Sequence, residues 1–214
     1  GEPYARFYAV YPQVTTSYSK LTLAPSTNTS TPYVNIEVEP GVQNQKDLMT
    51  ACTGTTPVHY ATLGTAPAVP LQFQHAMTAI RFKIGDRLSG THNITKIEII
   101  NAMSKGKFTL PSSVQATTGA SFNSAWSDVS TPATFTLDDI NVSTAGHVNE
   151  TIVGKDGDNF TFYMIPQVLT GNSVTAYVHF TDNTEITATL KGEWKAGTTR
   201  TLKLSETNST WSYV

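Results

Sequence analysis

The stretch from Leu71 to Leu110, LQFQHAMTAIRFKIGDRLSGTHNITKIEIINAMSKGKFTL, sets the tightest limit on what this chain can fold into. Its apolar residues return at every second position, the period of a half-buried β-strand. Leu71, Phe73 and His75 share one parity, whereas Ile80, Phe82 and Ile84 share the other, so one unbroken strand cannot bury both sets on one face. A bulge or bend between His75 and Thr78 is required. Farther on, Ile97 and Ile99 face one way and Lys96 and Glu98 the other, the pattern of a strand with one wet face. Gly85, Ser89 and Gly90 punctuate the connection between the two arms. A second turn is expected at Ser104 to Lys107, ahead of a short strand ending at Leu110.

The flanking sequence has the same character. YARFYAVY, bounded by prolines, reads as an edge strand, and LTL (Leu21 to Leu23) as a short pairing within a surface loop. YVNIEVEP places Val34, Ile36 and Val38 inward, and DLMTA is a further short strand. Beyond Leu110, a Ser/Thr/Ala-rich excursion to Pro132 is expected, pinned by Phe122 and Trp126. ATFTLDDI resumes a strand. NFTFYMIP is apolar on both parities, which predicts a central strand stopped by Pro166. SVTAYVHF and EITATL form a hairpin around TDNT, and Leu202 and Leu204 close the unit.

The expected class is all-β, with antiparallel sandwich architecture and about seven strands between Leu71 and Ser205. The Pro-bearing stretch from Gly64 to Pro70 is the expected boundary between a partial N-terminal unit, residues 1–66, and a C-terminal unit, residues 67–214. The N-terminal strands are too few for a second complete sandwich. Either part of that unit lies outside this sequence, or its strands join the main sheets.

Composition narrows the function. Apolar residues make up 39% and charged residues 14% of the 214 positions, with Thr, Ser and Asn abundant, which favours strands and turns. The net charge of −2 offers no basic field for phosphates, so nucleic acid is not an expected partner. No apolar run reaches the roughly 20 residues of a membrane helix. The polar opening GEPY does not resemble a signal peptide, so any targeting segment is expected to lie outside this sequence. The single cysteine, Cys52, excludes an internal disulfide; polar QNQKD precedes it where a lipoprotein signal needs an apolar core, so it reads as a small buried residue.

Catalytic and metal-binding patterns are absent: there is no HExxH, CxxC, GxSxG or P-loop. His59, His75, His92, His147 and His179 are scattered singly and read as surface or structural histidines. Asp156 and Asp158 sit in a turn that lacks the bidentate Glu of a calcium loop, and Asp138 and Asp139 point to opposite faces. Trp126, Trp194 and Trp211 show no spacing that separates a sugar platform from ordinary packing. No enzyme and no cofactor is expected.

LQFQHAMTAIRFKI, then ITKIEIINAMSKGKFTL, NFTFYMIPQVL and EWKAGTTRTLKL, resemble in this order the fimbrillin family of Bacteroidetes, the Mfa-like and FimA-like surface proteins. The matching positions are Phe73, His75 and Met77 of the F-x-H-A-M-T strand, Pro166 and Gln167 of the "PQ" strand, and Trp194 and Gly197 of the terminal W-x-x-G segment. AVYP and DLMTA match segments just upstream. The resemblance implies transthyretin-like sandwich domains, export to the cell surface as a lipoprotein, and assembly into pili by strand exchange between subunits. Implied partners are other fimbrial subunits and host or bacterial surface ligands. The family's stretch upstream of AVYP, its lipid anchor and its processing site are expected ahead of Gly1, and Arg200 stands in a terminal strand that often carries Tyr.

A sandwich short of one strand exposes unpaired backbone and an apolar groove, and a neighbour's strand repairs both. The candidate donor is TNSTWSYV, where Trp211 and Tyr213 share a parity, with YARFYAVY as the other choice. The competing expectation is a surface glycan-binding sandwich that does not polymerise.

Overall fold

The computed structural model describes residues 4–25, 27, 30–55, 57–60, 62, 64–65, 68–86, 88, 92–112, 120–171, 173–205 and 212–213. In chain order the first strands are β1 (Tyr4–Ala5), β2 (Tyr8–Tyr11), β3 (Leu21–Ala24), β4 (Tyr33–Glu37), β5 (Met49–Cys52), β6 (Val58–His59) and β7 (Gln74–His75). Next come β8 (Thr78–Ile84), β9 (Asn93–Thr109), the single helical turn α1 (Ala120–Asn123), β10 (Trp126–Leu137), β11 (Val142–Ser143), β12 (Thr151–Val153) and β13 (Phe162–Met164). The chain closes with β14 (Gln167–Leu169), β15 (Thr175–Phe180), β16 (Glu185–Thr189), β17 (Gly192–Trp194), β18 (Thr199–Leu204) and β19 (Ser212–Tyr213). Several of these have only two or three residues, too few to show an alternation in sequence.

The large sheet is built on β9, a 17-residue strand. β10 pairs antiparallel with it from Ile97 to Phe108. β15 pairs with Ile94 to Ile100 and β4 with Lys105 to Thr109, while β16 and β3 extend these two neighbours. Ile97 and Ile99 are buried as expected, but then Ala102, Ser104, Gly106 and Phe108 take over the core side. The parity changes because Asn101, at φ 65°, is an extra residue: Ala133 of β10 stands opposite Ala102, and Thr134 opposite Ile100.

The turn expected at Ser104 to Lys107 is therefore continuous strand. Gly106 is there for packing and not for turning. A Cβ at that position would lie 3.0 Å from two ring atoms of Trp126. The expected loop to Pro132 is likewise shorter, because β10 begins at Trp126. Phe122 and Trp126 do act as anchors, with ring centroids 5.9 and 5.2 Å from that of Phe108.

In the second sheet β8 is central. β18 runs parallel to it along one edge, and β12 and β13 lie antiparallel along the other. A parallel pair needs a long crossover, which the intervening large sheet supplies. Gly85, just past β8, donates its N–H to Leu204 O at 2.7 Å, an approach that any side chain would block. β13 was expected to be central and instead occupies an outer row. Phe162 and Met164 are buried, and Tyr163 is half-buried.

The break between the parities of Leu71–His75 and Ile80–Ile84 is a change of sheet. β7 joins β5 and β2, whereas β8 joins the second large sheet. The two large sheets enclose one apolar cluster, with Phe82, Phe108, Phe135 and Phe162 fully buried, a sandwich-like arrangement. Each such side chain contributes about 1.5–3 kcal/mol on burial. β3 and β4 enter the large sheet, and Leu21, Val34, Ile36 and Val38 enter this core. Of the early strands, β1, β2, β5 and β6 make small sheets of their own.

Candidate functional site

Residues Ala76 to Ala79, the join between β7 and β8, are tied to three other segments. Ala76 N–H donates to Leu48 O at 2.8 Å, and its carbonyl accepts from Trp126 Nε1 at 2.9 Å. Met77 O accepts from Gly197 N–H at 2.8 Å, Thr78 Oγ1 donates to Lys195 O at 2.7 Å, and Ala79 N–H donates to Thr198 O at 2.9 Å. Gly197 has φ 68°, which a side chain would strain. His75, Met77 and Gly197 thus belong to one junction, in which Met77 is buried; Trp194, also buried, ends β17 just before Lys195 and pairs with Gln167. Phe73 lies outside it and is exposed.

Gln167 has a separate task. Between the stretches of β9 paired with β15 and with β4, Met103 N–H donates to Gln167 Oε1 at 3.0 Å, and Gln167 Nε2 donates back to Ile165 O at 3.0 Å. The buried Pro166 ends β13 and delivers this amide to the gap.

At the outer rim of the junction, His75 Nδ1 meets the buried carboxylate of Asp47, and Arg81, Tyr163 and Thr198 complete a cleft of about 120 Å³. Burial pushes the Asp47 carboxyl above the usual range, against the opposing pull of His75. Burial, then the Asp47 charge, raises the Tyr163 phenol. The Thr78 and Thr198 hydroxyls are both committed to Lys195 O. Among the described residues no group of three or more His, Cys, Asp and Glu converges as a metal site would require. His147 and His179 pair with separate carboxylates, Glu150 and Glu98, at 2.8 and 3.0 Å. Trp126 and Trp194 are buried and cannot serve as sugar platforms. Cys52 is a free, half-buried thiol.

The sheet edges differ in how they are finished. The outer edge of β13 is plugged: Tyr163 N–H donates to Gln45 Oε1 at 2.8 Å, and Gln45 Nε2 donates to Glu39 O at 2.9 Å. β18 carries β19 on its outer side, with Tyr213 opposite Leu202 and Ser212 opposite Lys203. Of the candidate donor residues, Trp211 lies outside the described residues and Tyr213 is placed by its backbone alone. β2 pairs only with β5 among the described strands. Around it Tyr4, Phe7, Tyr11 and Phe73 are 65%, 45%, 54% and 40% exposed.

The model of the fimbrillin-like family matches residues 2–211. The chain belongs to this family. Among solved structures, this fimbrillin-like protein superposes on a fimbrial protein from Bacteroides vulgatus with a TM-score of 0.55 at 16% identity, covering 97% of this chain and 74% of that one. A candidate cell adhesion protein from Bacteroides ovatus gives a TM-score of 0.58 at 16% identity, covering 100% and 67% of the two chains. At such identity these likenesses speak for the fold alone. No curated protein matches.

Family membership makes this a fimbrial or adhesion subunit, a structural protein of the cell surface that associates with other fimbrial subunits. No helix among the described residues is long and apolar enough to cross a membrane. Sequence reading overlooked Asp47, Gln45, Arg81 and Tyr163 in the fimbrillin-like protein, because what matters about them is a partner far along the chain. The exposed aromatics did leave a signal. YARFYAVY is apolar on both parities, and while Tyr8 and Val10 pack on the core, Phe7 and Tyr11 stay about half exposed.

Proposed function

We propose that this fimbrillin-like protein is a structural or accessory fimbrial subunit that joins its neighbours by β-strand exchange and serves adhesion, with the tail 207–214 as donor. A transthyretin-like strand order and attachment through a lipid anchor elsewhere in the protein belong to the same reading. The observation that carries it is β19. Ser212 and Tyr213 lie antiparallel along the outer side of β18, opposite Lys203 and Leu202. A strand at a sheet edge is held by backbone hydrogen bonds along one side, and the same edge of a neighbouring subunit offers it equivalent bonds. Side chains buried on exchange would each add about 1.5–3 kcal/mol.

Deleting residues 207–214 tests the assignment. Size-exclusion chromatography and electron microscopy are expected to show a folded monomer that no longer forms polymers. Polymers of unchanged length would remove the tail as donor.

A further inference from the structure

On the face of the large sheet turned away from the core, two cross-strand rows run side by side. Thr22 stands opposite Asn35, Asn35 opposite Lys107, and Lys107 opposite Ser127; in the next row Glu37 faces Lys105. Between Ser127 and Ser130 the register of β10 shifts against Lys107 and Lys105, and in that bulge Asp128 adopts φ 54°. Bulges re-aim side chains. Here Asp128 becomes a wall of a groove of about 300 Å³ that is also lined by Lys20, Asn35, Glu37, Lys105 and Lys107.

The charges are unevenly satisfied. Glu37 is held ionised mainly by its hydrogen bond to Lys20 Nζ at 2.5 Å, and its second oxygen meets Lys105 Nζ at 3.3 Å. Lys107 has no carboxylate partner among the described residues; its ammonium lies 4.3 Å from the centre of the Tyr33 ring. Asp128 has no hydrogen-bond or ion-pair partner among the described residues. Three ammonium groups against two carboxylates leave this groove positive on a chain of net charge −2. Its volume is at the low end for small-molecule sites, and its polar walls suit no apolar ligand.

We propose that this groove binds an acidic saccharide. Lys107 takes the anionic group, while Asn35, which both donates and accepts, and Asp128, which accepts, hold ring hydroxyls. Glu37 fixes Lys20 and Lys105 as the groove's rim. This binding does not depend on strand exchange, because every group belongs to one chain and to segments outside the tail.

The test is calorimetric titration of the full chain with three probes: a galacturonic acid trimer, a sulfated trisaccharide and a neutral galactose trimer. The carboxylated or the sulfated probe is expected to bind and to weaken as salt is added, and which of the two binds identifies the anion. Lys107→Gln and Asn35→Ala should each weaken binding by about tenfold, the loss of one charge-assisted or amide contact. Amide chemical shifts of the unmodified protein should move at residues 35, 37, 105 and 107, a readout independent of any variant. No binding of either anionic probe, equal binding of the neutral trimer, or shifts confined to other residues would overturn the proposal.

Discussion

The two large sheets and the small sheets at the front of the chain differ in what they leave uncovered. β8, β9, β10 and β15 turn one side into a common core, and among the described side chains of the two large sheets only Leu23 of β3 is a large apolar one left exposed. β1, β2 and the approach to β7 instead present Tyr4, Phe7, Tyr11 and Phe73 to solvent. The lesson is one of division. Burial is concentrated in the long strands of the two large sheets, and exposed aromatic surface beside the two- to four-residue strands at the front, whose few ladder bonds open at little cost.

The largest expected effect lies in the core. Phe82→Ala should lower unfolding free energy by about 3–5 kcal/mol in urea titration, since Phe82 is fully buried and packs edge-on to Phe162. Next, Gln167→Ala strands the Met103 N–H in the gap of β9 and should cost about 1–3 kcal/mol. A loss near zero would mean that the gap is filled by water.

A smaller effect depends on pH. The Asp47 carboxyl is raised in the folded protein above its ordinary 3.8, so the folded state holds this proton more tightly than the unfolded one. Its contribution to stability is complete below 3.8 and is lost as the pH rises through the raised value. Asp47→Asn should abolish that loss, leaving the variant as stable as the parent or more so at neutral pH. Melting temperatures measured from acid to neutral pH check the sign, and a variant that weakens only near neutrality would show that His75 outweighs burial.

The smallest effect on stability is expected at the front. Phe7→Ala should change unfolding free energy by no more than about 0.5 kcal/mol, as for other exposed positions. If it cost as much as Phe82→Ala, the contrast between the two regions would fail.

Much of this division was legible in the sequence. Val34, Ile36 and Val38 alternate cleanly because β4 has one wet face, and β15 and β16 announce their hairpin through TDNT. Alternation tells which face is buried but not which strand lies alongside. For that reason the parallel pairing of β8 with β18 was hidden, as was the outer position of β13. Gly106 read as a turn because a glycine's need for space under Trp126 and its need for a left-handed backbone look identical in one letter. The first half of β10 was missed because bulges at Asp128 and near Ala133 erase its period. Asp47, His75, Arg81 and Tyr163 come from four separate segments, and only the fold brings them to one cleft.

Strand exchange requires that β19 be able to leave β18. Lys203→Cys with Ser212→Cys, in a Cys52→Ser background, places two thiols on registered neighbours of β18 and β19, so that oxidation locks the tail in place. Sedimentation of the oxidised protein should show monomers, and reduction should restore polymers. Polymerisation that proceeds equally well with the tail locked would contradict the account.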